Sequence, residues 1–550
     1  MSRLKESIRK WVLKNAIDHD GKAVVGAIIP KLIGENKELK NKVKELIPLI
    51  KEEVEKVNKM SIDDQIKELK DLAPELLEKK EQQLLPDLPH GKEVRMAFLP
   101  EPSKHLHIGH AKACIMNYYY ARKYNGKFFI RFEDSNPEKA KLEFYDSILE
   151  DLKWLGVDWD EVHYISDYFD VMLEDIKGLI ERDKAYVCTC DVETIREGRR
   201  LKKACPCRSN TKEENLKRYE RMLEGKYSEG EAIVRLKIDM AHKNAAMRDP
   251  AIARIILTPH PRTGSKYKVY PLYDFATAYM NGVEKLTHRI RSKEFELKKE
   301  LQDYIHDLFG IKKPFIFEIG RFNLEGKIAS GRQIRELVES GEVSSWDDPR
   351  LTTLKAYKRR GFQPQAIFNF ILQTGLSKAE AHVSEDVLAA ENRKIIDPIA
   401  KRYFFVHDPV TLELTNIPEN YEVEVPLHPD KNLGVKTYAI KNGDKVLIER
   451  RDYINGKTVR LKDLMNIEIK GKTGKYIGNE IVKDMSKIHW VLDSKKVKVV
   501  VVMPDASELE GYAEEYVLDL NVDDVIQFER FGFVRVDDMG EVIRFYFAHK

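Results

Sequence analysis

At 550 residues the chain is too long for one hydrophobic core, so several domains are expected. Lys and Arg number 94 against 91 Asp and Glu, a formal charge of +3, so any nucleic-acid footprint must be local. No apolar run approaches a membrane span, and Met1–Lys5 lack a signal-peptide core; a cytoplasmic protein with no membrane contact is expected, and five cysteines exclude a disulfide framework.

Residues 1–88 read as a helical domain. Leu39, Val43, Leu46, Ile50, Val54 and Val57 recur at helical spacing and give one apolar face. Pro48 interrupts that face and predicts a kink. Ser61 with Asp64 resembles a capping box that starts another helix. The polar face is dense in Lys and Glu, the pattern of a solvated surface or of one that meets RNA. Pro86–Gly91 is a turn-rich linker.

From Val94 the pattern becomes α/β. A strand at 94–98, a helix at 107–123 and a strand at 127–132 make a βαβ unit, and a helix follows with Phe144, Ile148, Leu152 and Leu155 on one face. Between the first strand and helix lies Phe98–His110. A strand that turns sharply into a helix leaves unpaired N–H groups that attract phosphate. Gly109 lets backbone approach a ligand. His107 and His110 can donate hydrogen bonds to a triphosphate as charge develops on its oxygens. That is machinery for attack on the α-phosphate of a nucleotide. The second strand runs into Arg131–Pro137, where Glu133 can hold the ammonium of an amino-acid substrate. The alternative is a plain cap, since Asp-Ser-Asn-Pro favours turns.

Residues 188–249 interrupt the α/β pattern. Cys188-x-Cys190 and Cys205-x-Cys207, 14 residues apart, suit four-thiolate Zn²⁺, with free structural cysteines as the alternative. A basic stretch, Arg196–Lys203, lies between them. Cys114, alone in its helix, reads as a small packing residue. Strands are expected at 232–238 and 253–257, a return to the α/β domain at Tyr270–Phe275, and a helix at 292–308. Arg291 ends a strand and can fork a carboxylate, or be an ordinary exposed arginine. Residues 336–403 are helical again, with Lys355, Lys358, Arg359 and Arg360 interleaved with Tyr357 and Phe362. That suits RNA phosphates or a solvated helix end. Beyond 404 come short strands at 421–425, 445–449, 496–502, 525–531 and 542–547, with hairpin signals at Asn442-Gly443 and Asn455-Gly456: one or two β-barrels.

Pro100-Glu-Pro-Ser103, His107-Ile-Gly-His110, Arg131–Pro137, Tyr273-Asp-Phe275, Leu286-Thr-His288 and Trp346–Arg350 occur in one order along the chain. Together they resemble the glutamyl/glutaminyl branch of class I aminoacyl-tRNA synthetases. The helical N-terminus and all-β C-terminus look like the archaeal glutamyl form. The resemblance covers the whole chain and implies a multidomain fold. Its α/β Rossmann-type catalytic domain spans 89–187 and 250–335, with a zinc-bearing insertion at 188–249 that meets the tRNA acceptor end. A helical linking domain (336–403) leads to all-β anticodon-binding barrels (404–550).

The resemblance further implies ATP-dependent attachment of L-glutamate to tRNA through glutamyl-adenylate, with Mg²⁺ on the phosphates and structural Zn²⁺. The partners are the glutamate tRNA and, as the resemblance allows, the glutamine tRNA, with handover of a misacylated product to an amidotransferase. A monomer is expected. By position, His107, His110, Lys104, Ser330 and Arg332 are catalytic candidates. Glu101, Pro102, Ser103, Gly109, Arg321 and Phe322 should line the ATP site. Glu133, Tyr273 and Arg291 should bind glutamate, Arg291 because a carboxylate substrate needs a cation where an amide does not. Lys358, Arg359 and Arg360 are tRNA-contact candidates.

Four departures from the family pattern bear on chemistry. An expected arginine is Ala97, with Arg95 two residues away on the same strand face. An expected glycine is Lys104. The second signature, normally Met-Ser-Lys, reads Ala329-Ser-Gly331, so its cation must come from Arg332, Lys327 or Lys104. The usual Glu-Gly before Thr-His is Glu284-Lys285. These departures leave a second reading open: a synthetase-like tRNA-binding protein with weak or altered amino-acid activation.

Overall fold

The strand Arg95–Phe98 pairs in parallel with Lys127–Phe132, and that strand pairs in parallel with Glu161–Tyr164. His288–Ser292 and Phe315–Ile319 form a second parallel pair. Thr287 N donates to Arg95 O at 3.0 Å and Arg95 N to Thr287 Oγ1 at 2.8 Å, joining the two pieces edge to edge. Within each piece the strands run parallel, so their carboxyl ends open on one side, where ligands bind in such sheets. The structure, a computed structural model, describes residues 2–19, 21–36, 39, 42–76, 85–89, 91–325, 327, 328 and 331–550. It divides into two compact units, Met1–Leu84 and Leu85–Lys550.

The first unit contains the helices Ser2–Asp18, Val25–Glu35, Val43–Val57 and Ile62–Leu72. Leu46, Ile50, Val54 and Val57 are buried, as the helical spacing requires. Pro48 sits inside Val43–Val57 without ending it. Asp64 N donates to Ser61 Oγ at 3.1 Å, so Ser61 is the expected N-cap.

In the second unit the βαβ reading holds closely, with the helix at Ile108–Lys123 and the strand at Lys127–Phe132. The expected helix at 292–308 begins later: Ser292 ends a strand, Lys293–Lys298 form 3₁₀ turns, and the α-helix is Lys299–Phe309. The cysteine-bearing segment is not a separate lobe. Ala185–Cys188, Ile233–Leu236, Ala251–Ile255 and Val269–Pro271 make one antiparallel sheet. One core, including Ile165, Ile176, Val187, Val234, Ile252, Val269, Phe275 and Ile305, runs across the segment's ends.

The C-terminal region holds two seven-stranded sheets, one including Lys496–Val502 and Ile543–His549, the other Pro409–Thr415 and Lys445–Glu449. Gly443 and Gly456 take φ of +88° and +80°, as turns there demand. Neither closes a hairpin, because Val435–Ile440 pairs with Tyr421–Pro426 rather than with Lys445–Glu449, and Thr458–Leu461 pairs with Met465–Lys470. No helix among the described residues is long and apolar enough to cross a membrane.

The linking helices brace the site. Ile108 N donates to Thr352 O at 3.0 Å and Leu354 N to Leu106 O at 2.9 Å. Trp346 packs against the His105 ring at 5.0 Å. Asp348 and Arg350 are locked together at 2.7 Å. The Trp346–Arg350 motif thus clamps Phe98–His110, the first signature loop, from outside.

Candidate active site

Glu101, Lys104, His107, Gly109, His110, Glu133, Tyr273, Arg289, Arg291, Arg321, Gly331 and Arg332 line one cleft of about 800 Å³ at the carboxyl ends of the parallel strands. Pro102 and Ser103 are buried and stand outside its lining. They hold the loop instead: Ser103 Oγ donates to Glu101 Oε2 at 2.8 Å, Lys141 N to Pro102 O at 3.0 Å, and Arg335 to Ser103 O at 2.6 Å. Their expected place in the nucleotide lining is corrected to support of the loop. Ser330 and the Phe322 side chain lie outside the described residues.

His107 and His110 cap the helix that begins at Ile108. Gly109 N donates to His107 Nδ1 at 3.1 Å, and His107 N donates to His110 Nδ1 at 3.3 Å. A backbone N–H can only donate, so both Nδ1 atoms are acceptors. Each neutral ring therefore carries its proton on Nε2. Burial, then the charge of Lys104, holds His107 down at about 3. Burial also holds His110 well below its ordinary value, reinforced by His107 and Lys104. The loop thus presents two neutral imidazole N–H donors.

Glu133 N donates to Pro100 O at 2.9 Å, tying the second strand's end to the loop. Glu133 Oε1 accepts from Thr277 Oγ1 at 3.0 Å and from Arg131 at 3.1 Å. Its Oε2 is buried and has no hydrogen-bond partner. Burial raises the Glu133 pKa, opposed by Arg131 and Arg289. A ligand ammonium would satisfy that oxygen and remove most of the penalty. Behind it Arg131, fully buried, donates to Glu284 Oε2 at 2.9 Å and Thr277 Oγ1 at 2.8 Å. Glu284 Oε1 in turn lies 3.0 Å from His163 Nδ1.

Arg291 is buried and already engaged: it donates to Gln302 at 2.6 Å, to Phe295 O at 3.1 Å and to Glu318 at 3.3 Å. Its Nε is buried without a partner. Sequence reasoning missed Arg289, which donates to Thr277 Oγ1 at 3.2 Å and Tyr273 OH at 3.1 Å, both neutral acceptors. Two arginines at i and i+2 of one strand share a face, which is the signal that marks it. Arg95 does not replace the missing arginine at 97. It bonds Glu284 O at 2.8 Å, lies over the Phe129 ring, and is absent from the cleft lining.

The basic patch is corrected in part. Arg360 is 2% exposed and binds Glu385 at 2.7 Å and Ala548 O at 2.8 Å, pinning the C-terminal strand to the linking helices. Arg359 pairs with Asp537 at 2.9 Å and Asp347 at 3.2 Å. Both are braces, unavailable to RNA without breaking those bonds. Lys358 is exposed, with no ion pair among the described residues.

The four cysteines converge. All Sγ atoms lie within 4.8 Å of one another, with Cys188–Cys205 at 3.7 Å and Cys190–Cys207 at 3.8 Å. Tetrahedral zinc with Zn–S bonds of about 2.3 Å requires sulfurs roughly 3.8 Å apart, so the set fits. Arg235 donates to Cys205 Sγ at 3.6 Å and Arg218 to Cys207 Sγ at 3.8 Å, cations that favour thiolates.

Residues 93–398 match the family described as tRNA synthetases class I (E and Q), catalytic domain, and residues 400–488 and 487–537 match two anticodon-binding domains of the same class. The chain belongs to the class I glutamyl/glutaminyl-tRNA synthetases. Within this family it is 42% identical to the glutamate–tRNA ligase of Thermococcus onnurineus, with 100% of each chain covered. It is 41% identical to that of Pyrococcus furiosus over 98% of this chain and 99% of the relative. It is 40% identical to that of Methanothermobacter marburgensis, again with 100% of each covered. The synthetase family thus accounts for the catalytic cleft and the β-rich C-terminus alike.

Proposed function

We propose that the protein attaches L-glutamate to tRNA at the cost of ATP, through glutamyl-adenylate. The single observation that carries the mechanism is the cleft, lined both by the His107–His110 cap and by Glu133, whose buried Oε2 has no hydrogen-bond partner. A glutamate carboxylate oxygen forms a bond to the α-phosphorus. The bond from that phosphorus to the oxygen bridging to the β-phosphate breaks, and pyrophosphate leaves with the electron pair. No proton moves in this step. Mg²⁺ supplies charge neutralisation on the phosphates. The His107 and His110 Nε2–H groups donate to phosphate oxygens as they gain charge. Glu133 Oε2 takes the substrate ammonium, and Arg291 and Arg289 place positive charge for the carboxylates. A terminal ribose hydroxyl of tRNA then bonds to the carbonyl carbon of the adenylate, the bond from that carbon to the phosphate oxygen breaks, and AMP leaves with the electron pair while the hydroxyl proton passes to a phosphate oxygen. Arg321 and Glu101 border the nucleotide, and Lys358 contacts tRNA phosphate. The protein works as a monomer.

Pyrophosphate exchange with glutamate and with glutamine, run with and without tRNA, tests this reading. Exchange and charging specific to glutamate are expected. Absence of both with either tRNA would sink it, and charging of the glutamine tRNA would make that tRNA, with an amidotransferase downstream, a second partner. Arg291→Ala is expected to raise KM for glutamate about tenfold or more with KM for ATP nearly unchanged; equal loss of both would make Arg291 structural.

Cys188, Cys190, Cys205 and Cys207 hold Zn²⁺ in this proposal, which fixes the short segments around β-strand Ala185–Cys188. About one zinc per chain is expected by metal analysis of unchelated protein, with Cys205→Ser losing it and lowering the melting temperature. Zinc-free wild-type protein with unchanged melting would remove the site.

A further inference from the structure

Three cations stand near the second signature: Arg332, Lys327 and Lys104. The structure separates them. The Arg332 side chain is 87% exposed and pairs with Glu336 at 2.8 Å. Lys327 pairs with Glu385 at 3.7 Å and does not line the cleft. Lys104 lines the cleft and has no ion pair among the described residues. Glu101, whose charge attracts it, is held by Ser103 Oγ at 2.8 Å and by Lys139 at 3.3 Å.

Lys104 and Gly331 fit one another. A Cβ added at Gly331 would meet Lys104 Cδ at 2.8 Å, Cε at 3.1 Å and Nζ at 3.2 Å. The lysine side chain therefore lies across the space that any side chain at 331 would enter. Its ammonium charge reaches the same two imidazoles that cap the helix, since it depresses the pKa of both His107 and His110. Burial disfavours the ammonium most; Glu101 attracts it and Arg335 and Lys139 repel it, but no carboxylate among the described residues lies within ion-pair distance, so the charge is left without a close partner. A polyanion in the cleft would supply one.

We propose that Lys104 is a catalytic residue of this protein. It supplies, from the first signature loop, the cation that stabilises charge on the departing pyrophosphate, and the bare Gly331 makes the room for it. Positions 104 and 331 form an exchangeable pair, with one side chain and one vacancy. The inference rests on the ligase reading above and deepens it.

The test uses the full chain and tRNA. Lys104→Met keeps the length of the side chain and removes the charge. Its kcat for glutamate-dependent pyrophosphate exchange should fall about 100-fold, with the dissociation constant for tRNA and KM for glutamate within about twofold of wild type. Lys104→Gly combined with Gly331→Lys returns a cation from the other side of the vacancy. It should regain at least about tenfold over Lys104→Gly alone. Lys104→Met within about threefold of wild type, or a loss confined to KM, overturns the inference while leaving the ligase reading intact. Failure of the double variant to regain activity despite wild-type melting overturns the exchange. Wild-type protein without exchange overturns both readings.

Discussion

His110→Asn should slow glutamyl-adenylate formation about 10²- to 10³-fold without unfolding the protein. Asparagine places an acceptor oxygen close to where Nδ1 stood, so the hydrogen bond from His107 N, 3.3 Å in the structure, survives. What disappears is the Nε2–H donor. His110→Gln reverses the division: its amide reaches toward the Nε2 position but loses the cap. It should retain more activity than His110→Asn and melt lower, since an N-terminal cap contributes about 1 kcal/mol. The same pair of substitutions applies at His107, whose Nδ1 receives Gly109 N at 3.1 Å. Single-turnover adenylate formation and thermal melts separate the two effects. Equal activity of the Asn and Gln variants would show that the rings only cap the helix.

The protonation states add a second readout. Both imidazoles are held neutral by burial, His107 down to about 3. The catalytic rate should therefore show no inflection from either ring between about pH 6 and 8. The stability consequence has the opposite look. A histidine with a depressed folded pKa binds its proton only in the unfolded chain as pH falls below about 6.5. Stability is lost on acidification through that range, and His110→Asn should lessen the loss. An acid limb near pH 6.5 in the rate that vanishes in His110→Asn would contradict neutral donors.

The first signature loop was legible because its chemistry is local. A strand, a sharp turn, Gly109 and a helix with histidines at its start lie within one short stretch, and the structure closes them on one another. The cysteine pairs were legible for a similar reason: four thiols of two close pairs have few other uses. Long-range partners were not legible. Nothing in the sequence near Arg360 announces Glu385 or the carbonyl of Ala548, so a buried brace read as a surface cation. Arg289 was hidden because its strand is buried on both faces, which erases the alternation that would mark an inward residue. Ser292 looked like a helix start, yet it caps 3₁₀ turns, its Oγ accepting from Glu294 N at 3.4 Å. Asn-Gly pairs predicted turns correctly but not which strands they join, because pairing is set by the other strands of the sheet.

Glu284→Ala should be the most destabilising single change near the cleft. Arg131 and Glu284 are fully buried as a pair at 2.9 Å. Removing the carboxylate leaves a guanidinium without its closest counterion in a dry environment, a loss of about 3–5 kcal/mol. Denaturant unfolding should show a lower midpoint. Glu284→Gln keeps a hydrogen-bonding oxygen for Arg131 and spares most of that loss, which exposes the functional part of the network. With Glu284 neutral, Glu133 becomes, among the described residues, the one charged carboxylate bonded to Arg131, at 3.1 Å. Stronger attraction to Arg131 holds the Glu133 carboxylate more tightly to the guanidinium and weakens its pairing with the substrate ammonium. KM for glutamate should rise about tenfold while KM for ATP stays put. His163 supplies the pH arm of the same test. Its hydrogen bond to Glu284, reinforced by Glu161, raises its pKa above the ordinary value. Protonated His163 therefore contributes stability that is complete below about pH 6.5 and is lost as pH rises through the raised folded value. Glu284→Gln removes the larger cause of that shift, so its unfolding midpoint should depend less on pH over this window. Parallel pH curves with an unchanged KM for glutamate would mean that Glu284 acts only as packing, and that Arg131 and Thr277 hold Glu133 without help from the Glu284 charge.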